Sequence, residues 1–124
     1  DRVRAGESSF RAIGCAACHV PVLETGESRH PLFHRQPVAL FSDLLLHDVA
    51  TGDLIPQASA LPQEIRTPSL WGLRVRRPFL HDGSASTVEA AIERHGGEAE
   101  GVTRRFQTLE PAARASLLAF LNSL

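Results

Sequence analysis

Residues 14–19 read GCAACH. Two cysteines three apart, Cys15 and Cys18, followed at once by His19, have the spacing of a c-type haem attachment site. The spacing has a chemical reason. Two thiols can bond the two vinyl groups of a porphyrin as thioethers, and the adjacent imidazole then reaches the iron from one face. Such a tether lets a small protein keep its cofactor despite a thin core. Three other uses of the pair compete. A thioredoxin-type dithiol sits in a βαβ pattern, and no strand is readable before Gly14. A zinc site needs further ligands, but the chain has only two Cys and its other histidines lack finger-like spacing. A plain disulfide is the simplest alternative. The expected cofactor is one covalently attached haem c, its iron bound by His19.

An electron-transfer haem usually has a second axial ligand, often Met and in some proteins Tyr. This chain has no Met and no Tyr, and all 13 of its basic residues are Arg, so Lys is missing too. The candidates are His30, His34, His47, His81 and His95, beside water, an asparagine or an open site. His95 stands apart from the rest. In STVEAAIERHGGE, Ser86 and Glu89 form an S-x-x-E start signal and Gly96-Gly97 a stop. Between them Val88, Ala91, Ile92 and His95 recur at i, i+3, i+4 and i+7, which puts the imidazole on the apolar face of a short helix. His95 is therefore the expected distal ligand. His47, His81 and an open site stay as alternatives, as does a histidine that merely completes the core.

Other elements must position these groups. Val3, Gly6, Phe10 and Ile13 predict an N-terminal helix running into the attachment motif. At the other end, EPAARASLLAFLNSL predicts a helix with Pro111 in its first turn and Ala113, Leu117, Phe120, Leu121 and Leu124 along one face. Gly6 would admit a close helix crossing. Terminal helices crossing beside C-x-x-C-H predict an all-α, class I cytochrome c-like fold, with a loop-rich middle punctuated by Pro21, Pro31, Pro37, Pro56 and Pro62. Within LFSDLLLHDV, Ser42 or Asp43 is expected to cap a short helix carrying Leu44, Leu45, Leu46 and His47. In residues 65–84, Leu70, Leu73, Phe79 and Leu80 would wall the haem. Arg66 and Trp71 are the candidates for its propionates, which need cationic or hydrogen-bonding partners when partly buried. Arg74, Arg76 and Arg77 read as a solvated face, or as a docking face for an acidic electron partner. HDGS at 81–84 predicts a tight turn.

The totals bound the answer. A length of 124 residues suits one domain, read as a single cytochrome c-like haem domain over 1–124. Hydrophobic residues at 43% and charged residues at 22% are ordinary for a globular protein, and a net charge of −1 gives no reason to expect nucleic acid. No apolar run approaches the roughly 20 residues of a membrane span. Lacking an initiator Met and a signal peptide, the chain reads as a processed product or as a piece of something longer.

FSDLLLHDV, RTPSLWGL, PFLHDGSASTVEAAIERHGGEA and LLAFLNSL together resemble the C-terminal cytochrome c domain of bacterial dihaem oxidoreductases. These are the thiol oxidoreductase group, related to dihaem cytochrome c peroxidase and MauG-type proteins. The resemblance runs from Gly14 almost to the end. It implies a periplasmic protein and a distal ligand at the helix end occupied by His95, a position that carries Met in the peroxidases and Tyr in MauG-like proteins. It also implies that such a domain relays electrons while the peroxide-reactive haem lies elsewhere. Only one C-x-x-C-H is present here, so the expected partner is a second haem domain or a redox protein. The expected function is a monohaem electron-transfer domain with bis-histidine ligation. The alternative is a peroxidase- or oxidase-type haem domain with an open or dissociable distal site, for which His81, Asp82 or His47 would supply acid–base chemistry.

Overall fold

The chain's frame is the crossing of its two ends. In the computed structural model, which describes residues 1–52 and 54–124, α1 spans Arg2–Ala12 and α4 spans Pro111–Leu121. They approach through Gly6, where an added Cβ would collide with the Ser116 carbonyl and lie 2.6 Å from Phe120 Cβ. One turn along, the Phe10 ring meets Phe120 edge-on at 5.4 Å and Phe41 at 6.1 Å, and Phe41 meets Phe120 at 5.9 Å. Edge-to-face rings of this kind add to the burial term. Phe41 thereby fastens the middle of the chain to the crossing. Ile13, Leu117 and Leu121 complete this part of the core.

Two shorter helices lie between. The first, α2, spans Val88–Glu93 and starts from Thr87, whose side chain accepts the Ala90 N–H. The cap thus falls one residue after the expected Ser86. The second, α3, spans Glu100–Gln107 and has no counterpart among the sequence expectations. Its apolar stripe is narrow, chiefly Val102 and Phe106 among charged neighbours, too little for a periodicity argument. Tertiary packing supplies what the pattern lacks. Phe106 is fully buried, and the Arg114 guanidinium of α4 sits 4.3 Å from its ring centroid while donating to Glu93 of α2 at 2.8 Å.

The all-α expectation is overturned by four short strands, among the described residues, in two antiparallel pairs. Strand β1 (Leu23–Glu24) pairs with β2 (Pro37–Val38), and β3 (Leu46–His47) pairs with β4 (Ile65–Arg66). The reading as an all-α, class I cytochrome c-like fold falls with it. What stands is the packing of the terminal helices. The physical reason is that the proline-interrupted middle cannot satisfy its backbone groups within helices and satisfies part of them across strands. The short helix expected within residues 40–49 is likewise absent. Ser42 Oγ and Asp43 Oδ1 accept the N–H groups of Leu44 and Leu45, two residues on. Those bonds make turns that compete with a helix start. Leu44 takes a left-handed φ of 62°, and Leu46–His47 pairs with Arg66 and Ile65 instead.

Candidate functional site

The C-x-x-C-H motif leaves α1 at Gly14, whose φ of 100° suits glycine, and winds through a short turn of helix at Cys15–Ala17. Burial pushes the Cys15 thiol up to about 11. Cys18 is raised as well, by burial first and then by the Asp43 and Glu98 carboxylates. Redox-active dithiols depend on depressed values, so these shifts run against a thioredoxin-type role. His19 follows with its Nδ1 donating to the Phe41 carbonyl at 3.0 Å. Burial lowers its pKa, partly opposed by that bond, so the ring is held neutral. Phe41 itself sits at φ 54°, a strained conformation for a bulky residue. The strain aims its carbonyl at His19, fixing the tautomer that leaves Nε2 as the lone-pair donor.

His95 lies two residues beyond the end of α2, and its Nδ1 donates to the Ala91 carbonyl at 2.7 Å. The arrangement repeats that of His19: a backbone carbonyl takes Nδ1–H and Nε2 is left over. Buried Thr103 of α3 secures the segment by donating to the carbonyls of His95 at 2.5 Å and Ile92 at 3.2 Å. Among the described residues neither Nε2 has a hydrogen-bond partner. Both histidines line one cavity of about 560 Å³, within the roughly 300–1,000 Å³ of small-molecule and cofactor sites.

The same cavity is lined by Cys15, Cys18, Leu70, Leu73, Phe79 and Leu80. Leu70, Leu73 and Phe79 are buried. HDGS forms its turn, with Gly83 N–H donating to Leu80 O and Ser84 N–H to Asp82. Exposed Arg66 and Arg76 also reach the lining. Trp71 does not. It is 50% exposed, and its indole donates to the Ala39 carbonyl at 2.6 Å. His81 lines the cavity, whereas His30 and His34 lie in a loop away from it. His47 borders the cavity but has both ring nitrogens on carboxylates, Nε2 on Asp43 at 2.8 Å and Nδ1 on Glu98 at 2.9 Å. These bonds, Glu98 first and then Asp43, raise its pKa. It has no nitrogen to spare for a metal.

Sequence reasoning missed three supports. Arg105 Nε donates to the Ile13 carbonyl at 2.8 Å, with its guanidinium close against Gly14. Thr103 and Glu98 act from outside any recognised motif. Their signal in the sequence is nil, because each works on a residue distant along the chain. An oriented imidazole on each of two segments, paired thiols, apolar walls and two lining arginines make a donor set that fits a haem. It requires no side chain beyond those already in place.

Over residues 1–124 the chain matches the model of a family described as "Di-haem oxidoreductase, putative peroxidase". The chain belongs to that family. It is 30% identical over 117 residues to the methylamine utilization protein MauG of Methylorubrum extorquens, a match covering 90% of this chain and 31% of that protein. To the MauG of Methylophilus methylotrophus it is 28% identical over 116 residues, covering 89% and 32%. The chain therefore spans about a third of the length of these relatives. No solved structure matches it. Among the described residues, no helix is long and apolar enough to cross a membrane.

Proposed function

We propose that this member of the di-haem oxidoreductase family is a monohaem c-type electron-transfer domain, the electron-relay part of a larger periplasmic oxidoreductase. In this reading Cys15 and Cys18 are the attachment points, His19 and His95 the axial ligands, and Arg66 and Phe79 contacts of the porphyrin. One observation carries it. His19 and His95 face the same cavity, and each gives Nδ1–H to a backbone carbonyl, Phe41 at 3.0 Å and Ala91 at 2.7 Å, leaving Nε2 to donate. When bound, the haem supplies a one-electron couple. The chain's own residues orient both imidazoles through their Nδ1–H bonds and surround the site with apolar side chains. Two imidazoles without a thioether favour ferric iron, so the reduction potential lies below that of His/Met cytochromes. The partner is a second haem domain or a redox protein.

The test is His95→Ala in protein matured with its haem, read by pyridine haemochrome, optical and EPR spectra. One haem per chain is retained, the low-spin bis-imidazole signature is lost, and cyanide binds the ferric variant rapidly. An unchanged signature removes His95 from the iron. An intact mass equal to the bare polypeptide after correct maturation removes the attachment altogether. A catalytic reading, with a dissociable distal position, is favoured by His81 sharing the cavity with His95. Rapid cyanide binding to the wild-type ferric protein decides for it.

A further inference from the structure

The segment FSDLLLHDV contributes no ligand, yet it touches both ligand-bearing segments. At its start, Phe41 O accepts from His19 Nδ1, Ser42 N–H donates to Val20 O at 3.0 Å, and Asp43 N–H donates to Cys18 O at 2.8 Å. Three successive residues thus grip the attachment motif. At its end, Gly96 N–H donates to Val49 O at 2.8 Å and Glu98 N–H to Asp48 O at 2.9 Å, while the Glu98 carboxylate accepts from Asp48 N at 2.9 Å. Gly97, at φ 51°, packs so closely on the Asp48 carbonyl that a Cβ there would collide with it. The chain leaving His95 is stitched to this segment.

One side chain spans the two grips. His47 Nε2 meets Asp43 at 2.8 Å and Nδ1 meets Glu98 at 2.9 Å. Carboxylates only accept, so both ring nitrogens must carry hydrogen and the ring is an imidazolium between two anions. Charge-assisted bonds of this kind are short and directional. Asp43 and His47 are largely buried, with side chains 11% and 17% exposed, which protects this half of the bridge from solvent screening.

We propose that Asp43, His47 and Glu98 form a strut that fixes the separation between the segment supporting His19 and the segment presenting His95, making His47 a positioning residue for the distal ligand. The inference rests on the reading of His95 as that ligand. With the strut intact, the segment 95–98 would hold the His95 imidazole where it would ligate a bound haem. Without it, the segment 95–98 keeps its fold through backbone bonds but presents the imidazole less accurately.

The experiment uses the haem-loaded protein, beginning with wild type and His95→Ala to establish distal ligation. His47→Phe then removes both bonds while keeping a flat ring of similar size. It retains one haem per chain, but its ferric EPR spectrum gains a high-spin component and its cyanide-binding rate rises by roughly tenfold or more, the factor a single charge-assisted bond commands. Its reduction potential rises too, because weaker distal ligation stabilises ferric iron less. Glu98→Gln, which keeps the hydrogen bond from Asp48 N and loses the charge, shows the same changes in weaker form and serves if His47→Phe does not mature. Arg114→Ala, which loosens α2 from α4 outside the strut, controls for general loss of stability and leaves the cyanide rate unchanged. If His95→Ala alters the spectrum and neither His47→Phe nor Glu98→Gln changes ligand exchange, the strut is wrong and the ligation reading survives. If His95→Ala alters nothing, both fall. Equal effects from Arg114→Ala also overturn the positioning role.

Discussion

Replacing Gly6 with Ala probes the helix crossing beneath the cavity. The new Cβ would overlap the Ser116 carbonyl and stand 2.6 Å from Phe120 Cβ, against about 3.5–4.0 Å for carbons at ordinary contact. The first obstacle is α4 backbone and the second is the first carbon of a side chain, so neither can rotate away and the helices must separate. Overpacking costs about 1–3 kcal/mol, here at the upper end because backbone is struck. Ala recovers about 1 kcal/mol through its better helix propensity. The net loss is about 2 kcal/mol. For a chain of 124 residues, with an unfolding entropy of about 2.1 cal/mol/K per residue, this lowers Tm by roughly 8 °C. The assay is thermal unfolding of the haem-loaded ferric protein, followed by far-UV circular dichroism. Gly26→Ala is the control, since nothing lies within 4 Å of a Cβ there, and its effect stays within about 0.5 kcal/mol. A Gly6→Ala protein that melts at or above wild type refutes the close crossing. So does an equal loss from both substitutions.

Phe106→Ala empties a site of 0% exposure beneath the Arg114 guanidinium and costs about 3–5 kcal/mol, measured by denaturant unfolding. A loss near zero would show that α3 is not held by its core face. The strut also sets a pH window. The folded pKa of His47 is raised, so its stabilising contribution is complete below the ordinary value of 6.5 and is lost as pH rises through the higher folded value. Asp43 and Glu98 are lowered: for Asp43 burial is the largest single influence and acts upward, but the hydrogen bonds from Leu45 N–H, His47 and Thr67 together outweigh it, and for Glu98 the His47 bond leads. Their contribution is complete above the ordinary 3.8 and 4.5 and is lost as pH falls through the folded values. Melting temperature against pH therefore falls on both sides of a plateau in wild type, and His47→Phe removes the decline on the alkaline side. A parallel profile in the variant would remove the imidazolium from the account.

Much of the candidate site was legible because its signals are local. C-x-x-C-H is one turn of chain, and the apolar face ending at His95 needs only the helical period. The walls Leu70, Leu73, Phe79 and Leu80 were legible as a cluster in sequence and form one in space. Trp71 lies outside the cavity lining, and an indole beside apolar residues carries no mark of which carbonyl its N–H will find, here Ala39. LFSDLLLHDV was read as a helix because Ser and Asp favour caps and turns alike. Which of the two they make depends on partners the segment does not contain, Thr67 O for the Ser42 hydroxyl and Ile65–Arg66 for the Leu46–His47 strand. The α3 helix was invisible for a similar reason: its stability lies in the burial of Phe106, not in its own pattern.

The order of residues alone determined the C-x-x-C-H spacing, the two terminal helices and the absence of any Met, Tyr or Lys. Each of these depends on residue identity or on spacing within a few turns of chain. Folding alone decided that two imidazoles share one cavity, that Phe41 and Ala91 carbonyls choose the tautomers, and that His47 is bound between Asp43 and Glu98. Those pairings join residues up to 76 positions apart, His19 and His95 being the extreme. The energy that selects them comes from burial and hydrogen bonds that exist only once the helices have crossed.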